Sequence, residues 1–295
     1  MSTSPLKIKF RKEYPGFLLS APYVLYFAAF VAFPIAYSVY LSFHEGSIIS
    51  TEFSFVGIAN YLEMLTDDLL WKSYKNILVY AVINIPLIMV GSLFLAMIVN
   101  KNIRGVGLFR TIFFLPVAIA PAVVAIIWNW IYAYQDGLLN MILGVIGISP
   151  KPWLTSIRWS MPSIAFLNVW RNSGYFMVIW LAGLQEIPIS CYESADIDGA
   201  NAWEKFRYIT YPMLIQVRGY VAILLMIMAI RLFTEPYALT QGGPANSTLT
   251  PIMYLYFNGF RFFRIGYASA IGVIIVCVMF LLSQLQRTYH DRKAF

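Results

Sequence analysis

Six stretches of predominantly apolar residues occur along this chain, and each is long enough to cross a lipid bilayer as an α-helix. A helix needs about 20 apolar residues to span the hydrocarbon core. The stretches are Phe17–Phe43, Tyr74–Val99, Leu108–Tyr132, Met161–Gly183, Pro212–Phe233 and Ile265–Leu285. Only 12% of the residues are charged, against about a quarter in a soluble domain. The sequence therefore predicts an all-α membrane protein with six transmembrane helices.

The distribution of Lys and Arg predicts how these helices are oriented. Short loops rich in Lys and Arg stay in the cytoplasm. With the N-terminus inside, most basic residues fall in cytoplasmic segments, including Lys7, Lys9, Arg11 and Lys12. We expect an N-in, C-in topology with a cytoplasmic tail at 1–16, a transmembrane domain at 17–285 and a cytoplasmic tail at 286–295. Membrane orientation accounts for the net charge of +7, so no nucleic-acid partner is expected.

The chain lacks the sequence patterns of common catalytic sites. Cys191 and Cys277 have no metal-ligand spacing, and no H-E-x-x-H motif occurs. No G-x-x-x-x-G-K-[ST] phosphate-binding loop occurs either. We therefore expect no catalytic residue, no metal and no cofactor on this chain.

One polar segment, Tyr192–Pro212, lies between the fourth and fifth apolar stretches, within a predicted cytoplasmic loop at 184–211. We expect a helix over 192–204, with Glu193 and Asp196 near its positive N-terminus. Glycine inside a helix costs up to about 1 kcal/mol, so Gly199 indicates a packing or turn role. Pro212 is expected to open the next helix. Small side chains, which permit close approach of a partner, occur at Ser194, Ala195, Gly199, Ala200 and Ala202.

The same segment resembles the EAA loop of bacterial ABC importer permeases. The matching residues are Glu193, Ala195, Asp198, Gly199, Ala200, Phe206, Ile209 and Pro212. Ser194 departs from the family pattern, which has alanine there, but Ser is also small. The resemblance implies a coupling helix that sits in a groove of a cytoplasmic ATPase. The coupling residues that it implies are Glu193, Ser194, Ala195, Asp198, Gly199, Ala200, Phe206 and Pro212.

The resemblance covers nearly the whole chain and is to the sugar-type permeases of the maltose and glycerol-phosphate group. It includes Phe33-Pro34, Phe55-Val56-Gly57, Trp170-Arg171 and Ile187-Pro188. The element Thr240-x-Gly242-Gly243-Pro244 is typical of the maltose F-type and glycerol-phosphate A-type subunits.

This resemblance implies a type I ABC importer permease fold in a prokaryotic inner membrane. It implies a second homologous permease, two cytoplasmic ATPase subunits and an extracytoplasmic solute-binding protein as partners, besides membrane lipid. ATP and Mg²⁺ would be used by the ATPase chain.

Polar residues inside predicted spans are candidates for a substrate path, because such residues are costly in a membrane. The candidates are Trp170, Arg171, Asn172, Tyr175, Arg231 and Glu235. The aromatic rings of Trp170 and Tyr175 would stack on a sugar. A structural role for the two arginines is an open alternative, paired with Glu235 or with a carboxylate of the partner permease. Asn84 is expected to hydrogen-bond between helices.

Prolines within the spans predict kinks, because each removes a backbone donor. The pair Pro116 and Pro121 is predicted to bend the third span near the translocation path.

Other functions remain to be weighed. An ion-coupled secondary transporter of small solutes is the main alternative, and it would need a coupling carboxylate, for which Glu235 is the candidate. A membrane enzyme and a plain channel are weaker alternatives. The substrate itself is open among di- and oligosaccharides, trehalose, sugar alcohols and glycerol-phosphate compounds.

Overall fold

The computed structural model describes residues 19–46, 52–101 and 105–291. The expected cytoplasmic tail at 1–16, the start of the first span at Phe17 and the last four residues, 292–295, lie outside the described residues. The described residues up to Thr66 form one compact unit with Phe257–Ile274. Asp67–Tyr256 and the described residues from Ile275 onward form the other.

Helices dominate the described residues, as the composition predicts. The helices in chain order are α1 (Leu19–Leu41), α2 (Ala59–Thr66), α3 (Asp68–Val99), α4 (Val106–Ala118), α5 (Pro121–Ile131), α6 (Leu138–Val145), α7 (Ser160–Gln185), α8 (Ile189–Ile197), α9 (Ala202–Met213), α10 (Ile215–Ile230), α11 (Thr234–Thr240), α12 (Pro251–Tyr256) and α13 (Ile265–Asp291). Short π-helical turns occur at Ala28–Ala32, Phe206–Thr210 and Phe257–Arg261.

Two short strands are the exception to an all-α fold. β1 (His44–Gly46) and β2 (Phe53–Phe55) pair in antiparallel register, with His44 opposite Phe55. Asn60 of α2 supports this hairpin by donating from Nδ2 to the backbone oxygens of Ser42 and His44, at 2.9 and 3.0 Å.

Three helices are each long and apolar enough to cross a membrane, namely α1, α3 and the Ile265–Leu285 part of α13. Three bent pairs, α4 with α5, α7 with α8 and α9 with α10, raise the number to as many as six if each pair is one span. These limits rest on length and composition within the described residues. They agree with a multi-span protein and do not fix the predicted count of six.

The predicted bend at Pro116 and Pro121 is confirmed, since α4 and α5 meet at 98°. Pro121 is at the start of α5, and a residue before proline is disfavoured in the helical region. Ile119 and Ala120 are accordingly extended, with ψ of 134° and 135°. Pro86, by contrast, lies inside the continuous helix α3.

The core of the larger unit forms where α3, α4, α7 and α10 pack together. Fully buried side chains at its centre include Ile88 on α3, Phe176 and Met177 on α7 and Val221 on α10. Small residues permit this close packing. A Cβ atom on Gly174 of α7 would lie 1.9 Å from the backbone oxygen of Phe113 on α4.

Gly174→Ala should therefore destabilise the protein by about 1–3 kcal/mol, because one of the two helices must move away. Thermal unfolding in detergent measures the effect as a lower Tm. Gly144→Ala is the matched control, since a Cβ there meets nothing within 4 Å. Equal Tm values for the two variants would contradict the close packing of α4 on α7.

Candidate functional site

A cavity of about 230 Å³ lies among α3, α7, α10 and α11 and gathers several polar side chains predicted from the sequence. Four of the six substrate-path candidates line it, namely Arg171, Asn172, Arg231 and Glu235. Asn84 and Asn168 line it as well. Guanidinium, carboxylate and amide groups from distant parts of the chain therefore share one cavity.

Helical spacing brings these groups together. Asn168, Arg171 and Asn172 are three and four residues apart on α7, so they lie on one face. Asn172 Nδ2 donates to Asn168 Oδ1 at 3.3 Å, and Asn168 Nδ2 donates to the Ile164 oxygen at 3.3 Å. Across the cavity, Asn84 Nδ2 of α3 donates to the Ala165 oxygen of α7 at 3.0 Å, so the expected interhelical hydrogen bond is present.

Arg231 and Glu235 reach the cavity because α10 ends beside it. Arg231 follows the last residue of α10, and Glu235 lies in the first turn of α11. Phe233, with φ −141° and ψ −55°, connects the two helices in a non-helical conformation. The break turns the chain back over the cavity and presents both side chains to it.

Arg171 and Glu235 form an ion pair across the cavity. Arg171 Nη1 lies 3.6 Å from Glu235 Oε1, and the two side chains are 14% and 8% exposed. This is one of the pairings expected from the sequence. The Nε atom of Arg171 is buried and has no hydrogen-bond partner among the described residues. A buried charge is stable only with a compensating partner, so each member of the pair holds the other in place.

The other two substrate-path candidates lie elsewhere. Trp170 lines a separate, apolar pocket of about 440 Å³ and packs against Trp128, with ring centroids 5.6 Å apart. Tyr175 is partly exposed and its ring meets Phe176 edge-on at 5.2 Å. Neither ring reaches the cavity that holds Arg171 and Glu235.

Tyr80 is a lining residue that the sequence analysis missed. Tyr80, Asn84 and Ile88 recur every four residues on α3 and form one stripe facing the cavity. The sequence could have identified Tyr80 from its spacing, because it lies four residues before Asn84 and residues four apart share one face of a helix.

A second candidate site is the connecting segment, Ile189–Met213, which joins α7 to α10 and consists of α8 and α9. All eight predicted coupling residues lie in it. Glu193, Ser194, Asp198, Gly199 and Pro212 are exposed, whereas Ala195, Ala200 and Phe206 are half-buried.

The predicted continuous helix over 192–204 is wrong, because Gly199 ends α8. Gly199 has φ +76°, a conformation that favours glycine. The N–H of Ala200 donates to the Ala195 oxygen at 2.9 Å, and that of Gly199 donates to the Asp196 oxygen at 3.1 Å. This pair of bonds is the Schellman motif of helix C-termini. Gly199 therefore has the turn role that its helix-breaking tendency indicated.

Two related expectations are also corrected. α8 begins at Ile189, so Glu193 lies in its middle and Asp196 near its end rather than at the N-terminus. Pro212 does not open α10. It lies near the end of α9, after the π turn Phe206–Thr210, and the chain bends by 68° before α10 begins at Ile215.

Asn201 starts α9 with a capping box that the sequence analysis did not identify. Its Oδ1 accepts from the N–H groups of Trp203 and Glu204, both at 3.0 Å, and Glu204 Oε2 accepts from the Asn201 N–H at 2.7 Å. The sequence Asn-Ala-Trp-Glu carried the signal, since Asn followed three residues later by Glu marks a helix start.

Side-chain contacts tie α8 and α9 into a hairpin. The hydroxyl groups of Tyr192 and Thr210 are hydrogen-bonded at 2.9 Å. Lys205 Nζ forms an ion pair with the carboxylate of Asp196. These two contacts within the chain hold α8 against α9.

Apolar side chains are exposed on this otherwise polar hairpin, and the sequence analysis did not single them out. Ile197 is 88% exposed and Trp203 is 65% exposed, and Ile189 and Tyr208 are also exposed. A Cβ on Gly199 would meet nothing within 4 Å. Large apolar side chains that are this exposed on a polar segment indicate a candidate protein-binding surface.

Comparison with known proteins gives close relatives along nearly the whole chain. The family described as binding-protein-dependent transport system inner membrane component matches residues 88–295. The lactose transport system permease protein LacF of Rhizobium radiobacter is 36% identical over 291 residues, which cover 97% of each chain. The trehalose/maltose transport system permease protein MalF of Thermococcus litoralis is 34% identical over 268 residues, covering 91% of this chain and 90% of the relative.

Solved structures support the same fold. A chain from the crystal structure of a bacterial ABC transporter involved in the import of the acidic polysaccharide alginate aligns with a TM-score of 0.83. The alignment covers 98% of this chain and 99% of that chain at 20% identity. At that identity the likeness shows a shared fold.

Asn201→Ala should loosen the start of α9, because two backbone N–H groups lose their acceptor at a cost of about 1 kcal/mol. Hydrogen–deuterium exchange at Trp203 and Glu204 should become about fivefold faster. Asn201→Asp keeps the accepting oxygen and should exchange at the wild-type rate. Faster exchange in both variants would mean that the cap does not hold this helix.

Proposed function

This chain belongs to the family of binding-protein-dependent transport system inner membrane components, and on that premise we propose that it is the permease subunit of an ATP-driven sugar importer. The observation that carries the proposal is the similarity over more than nine-tenths of the chain to relatives named for lactose and for trehalose/maltose transport. Reconstitution with the partner subunits tests it. ATP-dependent sugar uptake into proteoliposomes should require this chain.

The cavity among α3, α7, α10 and α11 is proposed as this chain's part of the translocation path. A sugar that leaves water loses hydrogen bonds at a cost of several kcal/mol for each unpaired hydroxyl. The amides of Asn84, Asn168 and Asn172 and the charged groups of Arg171, Arg231 and Glu235 offer replacement partners. Trp170 and Tyr175 stay as proposed stacking surfaces outside this cavity.

The connecting segment is proposed as the site at which an ATPase drives the permease. Its eight motif residues would contact the ATPase, together with the exposed side chains of Ile197 and Trp203. The chain itself would be no enzyme, and ATP with Mg²⁺ would be bound by the ATPase. Support comes from continuity of the backbone, since α8 follows α7 and α9 leads into α10. A displacement of the hairpin therefore acts on two helices that line the cavity.

The proposed assembly follows from this function. It has a second homologous permease, two ATPase subunits and an extracytoplasmic solute-binding protein, within the prokaryotic inner membrane and its lipid. Because the ATPase is cytoplasmic, the connecting segment would face the cytoplasm, which agrees with the N-in, C-in topology expected from Lys and Arg.

An ion-coupled secondary transporter is the second candidate, and Glu235 in the cavity is the observation that favours it. Such a transporter would use the flow of an ion down its gradient to drive solute uptake, with no ATPase present. Gradient-driven uptake by this chain alone would therefore replace the proposal of an ATP-driven importer.

Ile197→Ser should weaken ATPase attachment by about tenfold to a hundredfold, because an isoleucine buried at the interface contributes about 1.5–3 kcal/mol. Co-purification and ATPase titration against the solubilised permease measure this. Val145→Ser is the matched control, since Val145 on α6 is likewise 88% exposed but lies outside the connecting segment. Equal attachment in both variants would mean that the exposed face of Ile197 does not contact the ATPase.

Thiol labelling tests the topology. In a background with Cys191→Ser and Cys277→Ser, a cysteine introduced at exposed Ala202 should react only when the reagent enters the cytoplasm. A cysteine introduced at exposed Thr155 should react with an impermeant reagent in intact cells, once it has crossed any outer membrane. The reverse pattern would contradict both the topology and an ATPase site on the connecting segment.

A further inference from the structure

The cavity contains one positive charge that the described residues do not neutralise. Its charged lining consists of Arg171, Arg231 and Glu235. Glu235 pairs with Arg171 at 3.6 Å. The guanidinium of Arg231 has no ion pair or hydrogen bond within the described part of the chain. The three groups therefore sum to one excess positive charge.

Arg231 lies at the C-terminal end of α10, between two buried neighbours, with its own side chain exposed. It follows α10 directly, and its own N–H donates to the Ile227 oxygen at 3.1 Å. Ile230 and Leu232 on either side are buried, whereas Arg231 is exposed where it lines the cavity. The partial negative charge at a helix C-terminus favours a cation there but amounts to only about half a unit charge.

Two other arginines in the described residues have local partners for their guanidinium groups. Arg110 Nη2 donates to the Val99 oxygen at 3.0 Å, and Arg218 lies 4.5 Å above the ring of Tyr211. Arg231 has neither kind of contact. A charged group that lines a cavity of a membrane protein without a partner among the described residues indicates a functional role, with the partner supplied from outside the chain.

Arg171 retains hydrogen-bonding capacity despite its ion pair. The 3.6 Å separation from Glu235 exceeds the usual 2.7–2.9 Å of a charged hydrogen bond. The Nε donor of Arg171 is also buried without a partner. Arg171 therefore places a second guanidinium in the lining of the same cavity, and the asparagine amides of that lining offer hydrogen-bond partners for neutral hydroxyls.

We propose that the sugar carried by this cavity bears an anionic group, a carboxylate or a phosphate, which Arg231 binds with Arg171 as the second donor. This inference rests on the proposed function and specifies its substrate class. A guanidinium matches both anions because its fork of N–H groups can donate two parallel hydrogen bonds. Binding would neutralise the excess charge of the cavity, whereas a neutral sugar would leave it uncompensated.

The test is ATP-dependent uptake into proteoliposomes that contain the complete importer with its binding protein. Sugars are offered in two matched pairs, a uronic-acid disaccharide with the neutral disaccharide of the same linkage, and a sugar phosphate with the same sugar lacking phosphate. The two pairs separate a carboxylate from a phosphate. Because the binding protein is the same throughout, a difference between wild type and variant comes from this chain.

We expect uptake of the acidic member of one pair and at least tenfold less uptake of its neutral member. R231Q should raise the KM for the acidic sugar about tenfold, because a charge-assisted hydrogen bond is lost. R231K, which keeps the charge but loses the paired donors of the guanidinium, should give a KM between those of R231Q and wild type. R158Q is the matched control, since Arg158 is exposed outside the cavity, and should leave uptake unchanged.

Three results would overturn the inference. Efficient uptake of a neutral sugar with R231Q equal to wild type would reject an anionic substrate but keep the sugar importer. Equal loss of acidic and neutral uptake in R231Q would assign Arg231 to assembly with the partner permease. If the assembled importer takes up no sugar of any kind while remaining active as an ATPase, the proposed function fails as well.

Discussion

The absence of water from the bilayer core is the constraint on which the rest of this structure depends. Each backbone polar group there must find its partner within the protein, so the spans are helices and every interruption needs a local solution. The interruptions carry the features of interest. The break between α4 and α5 lies at Ile119 and Ala120, the two extended residues just before Pro121. The break after α10 places Arg231 and Glu235 beside the same cavity. A departure from regular helix therefore adds Arg231 and Glu235 to a cavity whose other polar side chains lie on the regular helices α3 and α7.

Much of this could be predicted from the sequence, because hydropathy and proline act locally. The apolar stretches predicted the ends of the long helical segments to within six residues, and Pro116 with Pro121 predicted the bend. The connecting segment was harder. Gly199 was expected inside a helix, but the adjacent capping box of Asn201 makes two helices favourable. Small residues and motif spacing identified the segment. Its internal geometry depends on a helix-ending glycine, Gly199, and a helix-starting cap, Asn201, that lie only two residues apart.

The candidate cavity shows what local patterns lack. Trp170 and Arg171 are neighbours in sequence, but successive residues on a helix point about 100° apart, so only one of them faces the cavity. Which one does so depends on how α7 packs against α3 and α10. The ion pair of Arg171 with Glu235 joins residues from separate helices and rests on the break at Phe233. The high exposure of Ile197 likewise follows from packing rather than from its residue type.

Packing between α7 and α10 supplies the link from the connecting segment to the cavity. A Cβ on Gly183 of α7 would lie 2.5 Å from a methyl carbon of Val217 on α10, so the two helices are in close contact next to the hairpin. Leu214, at the bend between α9 and α10, is almost completely buried in the same cluster. Under the proposed function, a force on the hairpin would move α7 and α10 together rather than bend either one, because densely packed interiors yield little. Ile88 of α3 lies in the same buried cluster, and Asn84 of α3 donates to the Ala165 oxygen of α7, so α3 would move with them and the lining of the cavity would be displaced as one body.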